Sequence, residues 1–253
     1  MWEEIFEKLA HLRDLDKQFQ GFGAEHHRYY LEHEVPEEIL ALVERRLGVV
    51  LPAELRKFYL DWGNGVLGPH YGLRQILDLE GYRPSEAYTD AATLRALALK
   101  QGRAHESDDY FEIEREHLTG LVNIIDEGCG HEVCLVTSGP RVGEVVNVSA
   151  DGYVHETNRT LIQTYEQWLD RELGKFGTVR RLMLSGASLE EINREVREKF
   201  DTYDAEDIIV SIADVEKPEE LFGSGGSKIY HGATQTPWYE KVLREWRETN
   251  ADG

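Results

Sequence analysis

Two cysteines in 253 residues are too few for a disulfide framework, and a reducing compartment would leave them as thiols. Cys129, His131 and Cys134 sit in the run CGHEVC, which has the residue types of a zinc site but not its layout. A structural zinc ion takes four ligands, usually as two separated pairs, and no second Cys or His pair lies at a familiar distance. Alternation in HEVCLV instead puts Cys134 on a buried strand face, so no metal is expected. Long apolar runs are also missing: nothing approaches the roughly 20 residues of a membrane helix. The N-terminal MWEEIFEKLAHLRD is acidic and amphipathic, unlike a secretion signal, which points to a cytoplasmic protein. Positive charge is scarce, with 28 basic against 48 acidic side chains and a net charge of −20. That balance favours solubility, disfavours bare nucleic acid and anionic membranes as partners, and makes a basic protein the natural counterpart. The excess is heavier in the first part, 17 basic against 32 acidic up to Leu173 and 11 against 16 after it.

Catalytic signatures are absent as well. No nucleophile stands with a base, and GSGGSK at 223–228 lacks the spacing of a phosphate loop, so it reads as a flexible linker. His26 and His27 have no catalytic company and suit a surface or cap role. No cofactor and no enzymatic activity are expected.

What the chain does contain is strong local punctuation. In VERRLGVVLPAELRKFYLDWGNG, residues 43–65, Val43, Leu47 and Val50 mark one helix face and Gly48 suits a left-handed helix end. Pro52 can open a second helix, whose stripe Leu55, Phe58, Tyr59 and Trp62 ends at Gly63, Asn64 and Gly65. The first helix of this hairpin begins near Pro36, followed by two glutamates that complement its dipole. Residues 1–20 carry an earlier helix, with Ile5, Leu9, Leu12 and Leu15 on one side. After Gly65, the segment through Leu73, Ile76, Leu77 and Leu79 is left open between a strand and a turn of helix. Residues 90–101 favour a helix, and 105–116, with six acids and one arginine, form an edge strand or an irregular loop.

Residues 120–157 read as a β-meander, with Val122, Ile124, Val133, Leu135, Val145 and Val148 between turns at GCG, SGP and ADG. An amphipathic helix follows, marked by Leu161, Tyr165, Trp168 and Leu169. Residues 176–200 contain two helical patterns around Ser185 and Gly186, with Ser188 and Glu191 as a capping box. Their acidity argues against a DNA-reading helix pair. Ile208 to Ile212 has a strand-like apolar core, punctuated by Lys217 and Pro218. A final helix begins at Pro237 with Thr236 as its cap and aligns Trp238, Val242 and Trp246.

Leu47, Gly48, Leu51 and Pro52, then Phe58, Tyr59, Asn64 and Gly65, then Asp126 to Glu132, and finally Trp168 and Leu169 together resemble the SMI1/KNR4 (SUKH) superfamily over residues about 20–173. The resemblance implies an α+β fold, helices packed on a largely antiparallel sheet, for a domain at 1–173, followed by a mostly helical extension at 174–253. It leaves an insert at 81–118 and the tail without counterpart. Bacterial members of the superfamily are commonly immunity proteins that block a polymorphic toxin, often a nuclease or deaminase; fungal members act in cell-wall and signalling control. The expectation is therefore a non-catalytic binder of a basic toxin domain, or alternatively an intracellular scaffold with another partner. The candidate partner-binding residues are Asp61, Asp78, Glu80, Glu106, Asp108, Asp109, Tyr110, Asp126 and Glu132. Asp126, Glu127 and Glu132 also read as turn residues rather than as a carboxylate pair for chemistry.

Overall fold

A computed structural model describes residues 2–105, 110–202, 204–215 and 236–250. In chain order the elements are α1 (Trp2–Leu15), α2 (Ala24–His27), α3 (Glu37–Leu47), α4 (Ala53–Asp61), β1 (Glu80–Tyr82), α5 (Ala91–Lys100), β2 (Leu121–Gly128), β3 (His131–Val136), β4 (Glu144–Val148), β5 (Val154–Thr160), α6 (Leu161–Ser185), α7 (Leu189–Phe200), α8 (Ala205–Ala213) and α9 (Thr236–Asn250). Short 3-10 turns stand at Ile76–Asp78 and Arg115–His117. The protein is α+β. Residues 26–166 form one compact unit; residues 1–25 and 167–253 form another, so that α1 groups with the C-terminal helices.

The first unit is built on a five-stranded antiparallel sheet in the order β1-β2-β3-β4-β5, the meander expected from the alternating apolar residues. The β2–β3 turn is tight because Cys129 (φ 52°) and Gly130 (φ 79°) both adopt left-handed backbone, which matches the twist of a two-residue hairpin. One sheet face carries Leu121, Cys134, Val136, Val146 and Val148, packed with Leu94 and Ala98 of α5 and with Phe111, Ile113 and Leu118. Helix α5 starts at Asp90, whose carboxylate accepts a 2.7 Å hydrogen bond from the Thr93 amide and is held below its ordinary pKa by that bond. The hairpin α3–α4 supplies Leu40, Val43, Leu55, Phe58 and Tyr59, all buried, with the Phe58 and Tyr165 rings 6.3 Å apart. Gly48 closes α3 at φ 74°, its amide donating to Glu44, and Pro52 immediately precedes α4. His26 is exposed, whereas His27, the last residue of the short α2, is buried and its Nδ1 accepts from the Tyr29 amide.

Two sequence expectations fail in the helical unit. Residues 208–212 are not a strand but the middle of α8, in which Ile208, Ile209, Val210 and Ile212 are all buried. A short apolar run looks alike in a strand and in a helix buried all round, and Glu206 with Asp207 in the first turn favours the helix. The helix at 161–172 also does not stop before a second one at 176: α6 runs unbroken for 25 residues. Gly174 lies inside it because a Cβ there would come within 3.1 Å of the Phe200 ring, so the glycine serves close packing rather than a turn. The turn at Gly186 (φ 85°) and the Ser188–Glu191 capping box stand as expected. Helix α9 reaches back to that turn, Glu240 accepting from the Leu189 amide and Arg247 donating to the Met183 carbonyl. Asp16, fully buried after α1, accepts from the Gln20 and Gly21 amides and from the Ser211 hydroxyl of α8. Lys175 is buried between Glu172 (2.8 Å) and Asp204 (2.7 Å). The expected linker at 223–228, Lys217 with Pro218 and the Thr236 cap lie outside the described residues and side chains.

Candidate surface site

The residues that end α4 build the site. Tyr59 donates through its hydroxyl to the Arg74 carbonyl at 2.7 Å, and Asn64 accepts from the Ile76 amide at 2.8 Å. Gly65 (φ 79°) leaves room for the same strand, since a Cβ there would stand 2.5 Å from the Arg74 oxygen. Gly72 (φ 89°) allows the tight return of the chain, in which Val66 donates to Leu73. The segment that left its state open in the sequence thereby runs beside β2, bridged at Leu73–Ile125, with Arg74 donating to the Ile124 carbonyl. It leaves the sheet through the 3-10 turn Ile76–Asp78 and returns as β1, pairing Glu80 with Asn123 and Tyr82 with Leu121.

This excursion opens a groove of about 550 Å³ lined by Arg46, Arg74, Leu77, Asp78, Leu79 and Glu80. Both guanidiniums are engaged with the fold, Arg74 partly buried and Arg46 exposed. Arg46 donates to the Leu77 and Leu79 carbonyls at 3.0 and 2.7 Å, and Arg74 donates through Nε to Asn123 at 3.2 Å. Glu80 and Asp126 lie 3.9 and 3.7 Å from the Arg74 guanidinium, close enough for attraction and too far for a good hydrogen bond. Their side chains are 72% and 52% exposed against 24% for Arg74, so the carboxylates face outward over that guanidinium.

Of the nine candidate residues, Asp78 and Glu80 thus line one groove, and Asp126 stands beside it at the Arg74 guanidinium. Asp126 also keeps its turn role, accepting from the Gly128 amide at 2.7 Å. The others stand apart. Asp61 pairs with Lys57 one turn back on α4. Tyr110, half exposed, donates to Asp151 at 2.8 Å and stacks its ring near Tyr153. Glu132 faces inward: Tyr82 donates to it at 2.6 Å and Arg115 at 2.9 Å, while Arg115 also donates to the Gly130 and Ser149 carbonyls. Burial, with Glu132 beside it, pushes the Tyr82 phenol well up, which keeps it a donor at neutral pH. Glu106, Asp108 and Asp109 lie outside the described residues.

Burial likewise raises the Cys134 thiol well above its ordinary pKa, and Cys129 is exposed at the turn, so the two do not form a ligand pair. Among the described residues, Glu114, Glu116 and His117 could bring three ligand atoms within 4.8 Å of one another, but Glu114 is ion-paired with Arg103. No helix is long and apolar enough to cross a membrane, among the described residues.

Comparison with known proteins gives one positive result. The model of the SMI1 / KNR4 family (SUKH-1) matches residues 34–171. No curated protein and no solved structure matches the chain significantly. The match spans both hairpin helices, the excursion that carries the groove and the whole sheet, and it covers more than half of the 253 residues. On that match, and on an α+β unit in which Tyr59 of α4 and Asn64 and Gly65 just after it hold the segment beside the groove, the chain belongs to the SMI1/KNR4 family (SUKH-1).

Proposed function

We propose that the protein is a non-catalytic binding module that neutralises a basic toxin domain of nuclease or deaminase type by covering the entrance to its active site. The observation that carries this is the electrostatic layering of the groove: Asp78, Glu80 and Asp126 face solvent while Arg46 and Arg74 are engaged with backbone carbonyls and Asn123. A nuclease gathers positive charge where it handles phosphate, and an outward carboxylate cluster on a chain of net charge −20 is complementary to it. Membership of the SMI1/KNR4 family is consistent with an immunity-type role. Charge of this kind speeds encounter, so the association rate falls steeply with added salt while the dissociation rate changes little.

The test is co-expression with the product of a neighbouring toxin gene. Rescue of growth, together with a stable complex on a sizing column, is the expected result. A toxin unaffected by the protein and no complex would overturn the proposal, as would turnover of a small metabolite that is lost on changing one carboxylate.

A further inference from the structure

Two half-exposed leucines, Leu77 in the groove and Leu42 one turn before the groove residue Arg46, are not required by the toxin-binding reading. Leu77 is 55% exposed on the 3-10 turn, and Leu42 is 51% exposed on α3. Leu42 does not belong to the buried stripe of α3, which runs through Leu40 and Val43. It lies with Ile39 and Arg46 at i, i+3 and i+7, along one side of the helix. Helix α3 packs against the 3-10 turn, and the Arg46 guanidinium is fixed there by the Leu77 and Leu79 carbonyls. Arg46, one turn after Leu42 on α3, thus reaches Leu77 with its guanidinium, although the residue itself is exposed. Leu42, Arg46 and Leu77 follow one another as a strip, with the exposed carboxylates Asp78 and Glu80 in the groove and Asp126 beside Arg74.

We infer that this strip is the anchor of the partner interface: an apolar side chain of a basic partner protein seats between Leu42 and Leu77, and cationic groups next to it meet Asp78, Glu80 and Asp126. The inference rests on the binding function proposed above and names the chemistry of its contact. Charge complementarity selects the occupant. An anionic partner would face three carboxylates, with the Arg74 guanidinium mostly covered and that of Arg46 already bonded to the Leu77 and Leu79 carbonyls, and a purely apolar one would leave those carboxylates without compensation. The division of labour follows from interface physics. Carboxylates at an exposed rim act on the rate of encounter, whereas a desolvated apolar anchor at the centre sets the lifetime of the complex.

Two synthetic lysine-rich peptides of equal length and charge, one carrying leucines and the other serines at the remaining positions, test this on the full-length protein by amide chemical-shift mapping and titration. The leucine peptide is expected to bind at least about tenfold more tightly and to shift Leu42, Arg46 and Leu77–Glu80. Leu77→Ser should cut that advantage to below about threefold without changing the affinity of the serine peptide. The combined change Asp78→Asn, Glu80→Gln and Asp126→Asn should weaken both peptides and flatten their salt dependence. Equal binding of the two peptides, shifts elsewhere on the surface, or a Leu77→Ser protein indistinguishable from the parent would overturn the inference. Both leucines are exposed, so the variants fold, and circular dichroism verifies this. In the toxin assay, a Leu42→Ser/Leu77→Ser protein that protects as fully as the parent, with an unchanged dissociation rate, refutes the anchor and leaves the binding function standing. A parent protein that fails to protect refutes the function, and the peptide titration then still decides the anchor.

Discussion

Replacing Arg115 by alanine should loosen the sheet unit more than any other single change at its surface. Arg115 comes from the 3-10 turn before β2 and joins three pieces of chain: the Tyr82 hydroxyl on β1, Glu132 on β3, and the carbonyls of Gly130 and Ser149 in two hairpin turns. Its side chain is 33% exposed and that of Glu132 only 13%, so the pair lies between a solvated ion pair, worth about 0–1 kcal/mol, and a buried one, whose rupture costs about 3–5 kcal/mol. The turn carbonyls can rehydrate when the arginine leaves, but Glu132 keeps a charge that is poorly solvated. We therefore expect a loss of about 3 kcal/mol for Arg115→Ala. Arg115→Lys, which retains the charge but not the planar fork, should lose about 1–2 kcal/mol.

Hydrogen exchange at the Val133 and Leu135 amides reads this directly. Under conditions where exchange reports the opening equilibrium, about 3 kcal/mol corresponds to roughly 100-fold faster exchange at pH 7. A double-mutant cycle supplies the control: Arg115→Ala combined with Glu132→Gln should fall short of additivity by about 1 kcal/mol or more, because the second change removes the stranded charge. An Arg115→Ala protein within about 0.5 kcal/mol of the parent, or an additive cycle, would show that the network contributes nothing and that Glu132 is free to face a partner after all.

Further outcomes are open to measurement. Tyr165→Phe removes the donor to the buried Leu67 carbonyl, a 2.7 Å bond, and should cost about 1–2 kcal/mol in urea unfolding. Gly72→Ala should be far more damaging than Gly102→Ala, although both glycines have positive φ. A Cβ at Gly72 would stand 1.6 Å from the Val66 oxygen, whereas nothing lies within 4 Å at Gly102, which predicts losses of about 3 kcal/mol or more against about 1 kcal/mol in thermal melts. Burial disfavours the charged form of Lys175, but Glu172 and Asp204 more than offset it and hold its pKa above the ordinary lysine value. That contribution is fully present below about pH 10.4 and is lost as pH rises through the higher folded value, so melts between pH 9 and 11.5 should decline more steeply for the parent than for Lys175→Met.

Features that depend on a local conformational demand were legible in the sequence. Gly48 before Pro52, Ser188 before Glu191, and the alternation through Val133 and Leu135 each constrain the backbone at their own position, and the structure places α3, α7 and β3 there. Features that depend on surroundings were not. Ile208 to Ile212 is apolar because it is enclosed on every side, and enclosure hides the period that separates helix from strand. The place of Gly174 inside α6 is accounted for only by Phe200, packed against it.

The groove divides in the same way. Asp78, Glu80 and Asp126 were each identifiable as exposed acids, but their meeting depends on a strand that leaves the sheet and returns, held by Tyr59 and Asn64. Asp61 found a nearer partner in Lys57, and Glu132 was drawn inward by Arg115. Leu42 did carry a signal, since it is an apolar residue off the buried stripe of its own helix. Leu77 carried none, because in an irregular segment no periodicity says which apolar residue is inside.

The grouping of α1 with helices far along the chain bears on how the protein is made. Trp2, Ile5, Leu9 and Leu12 are buried in the finished unit, Lys8 pairs with Asp170, and Asp16 bonds to Ser211, 195 positions away. On the ribosome this greasy face emerges before its partners and waits while some 150 further residues are translated, although the meander between can zip up hairpin by hairpin as it appears. Newly made α1 is thus a ready ligand for a holdase such as a ribosome-associated chaperone, and synonymous codon changes that slow elongation between α1 and α6 will lengthen that exposure and lower the soluble yield.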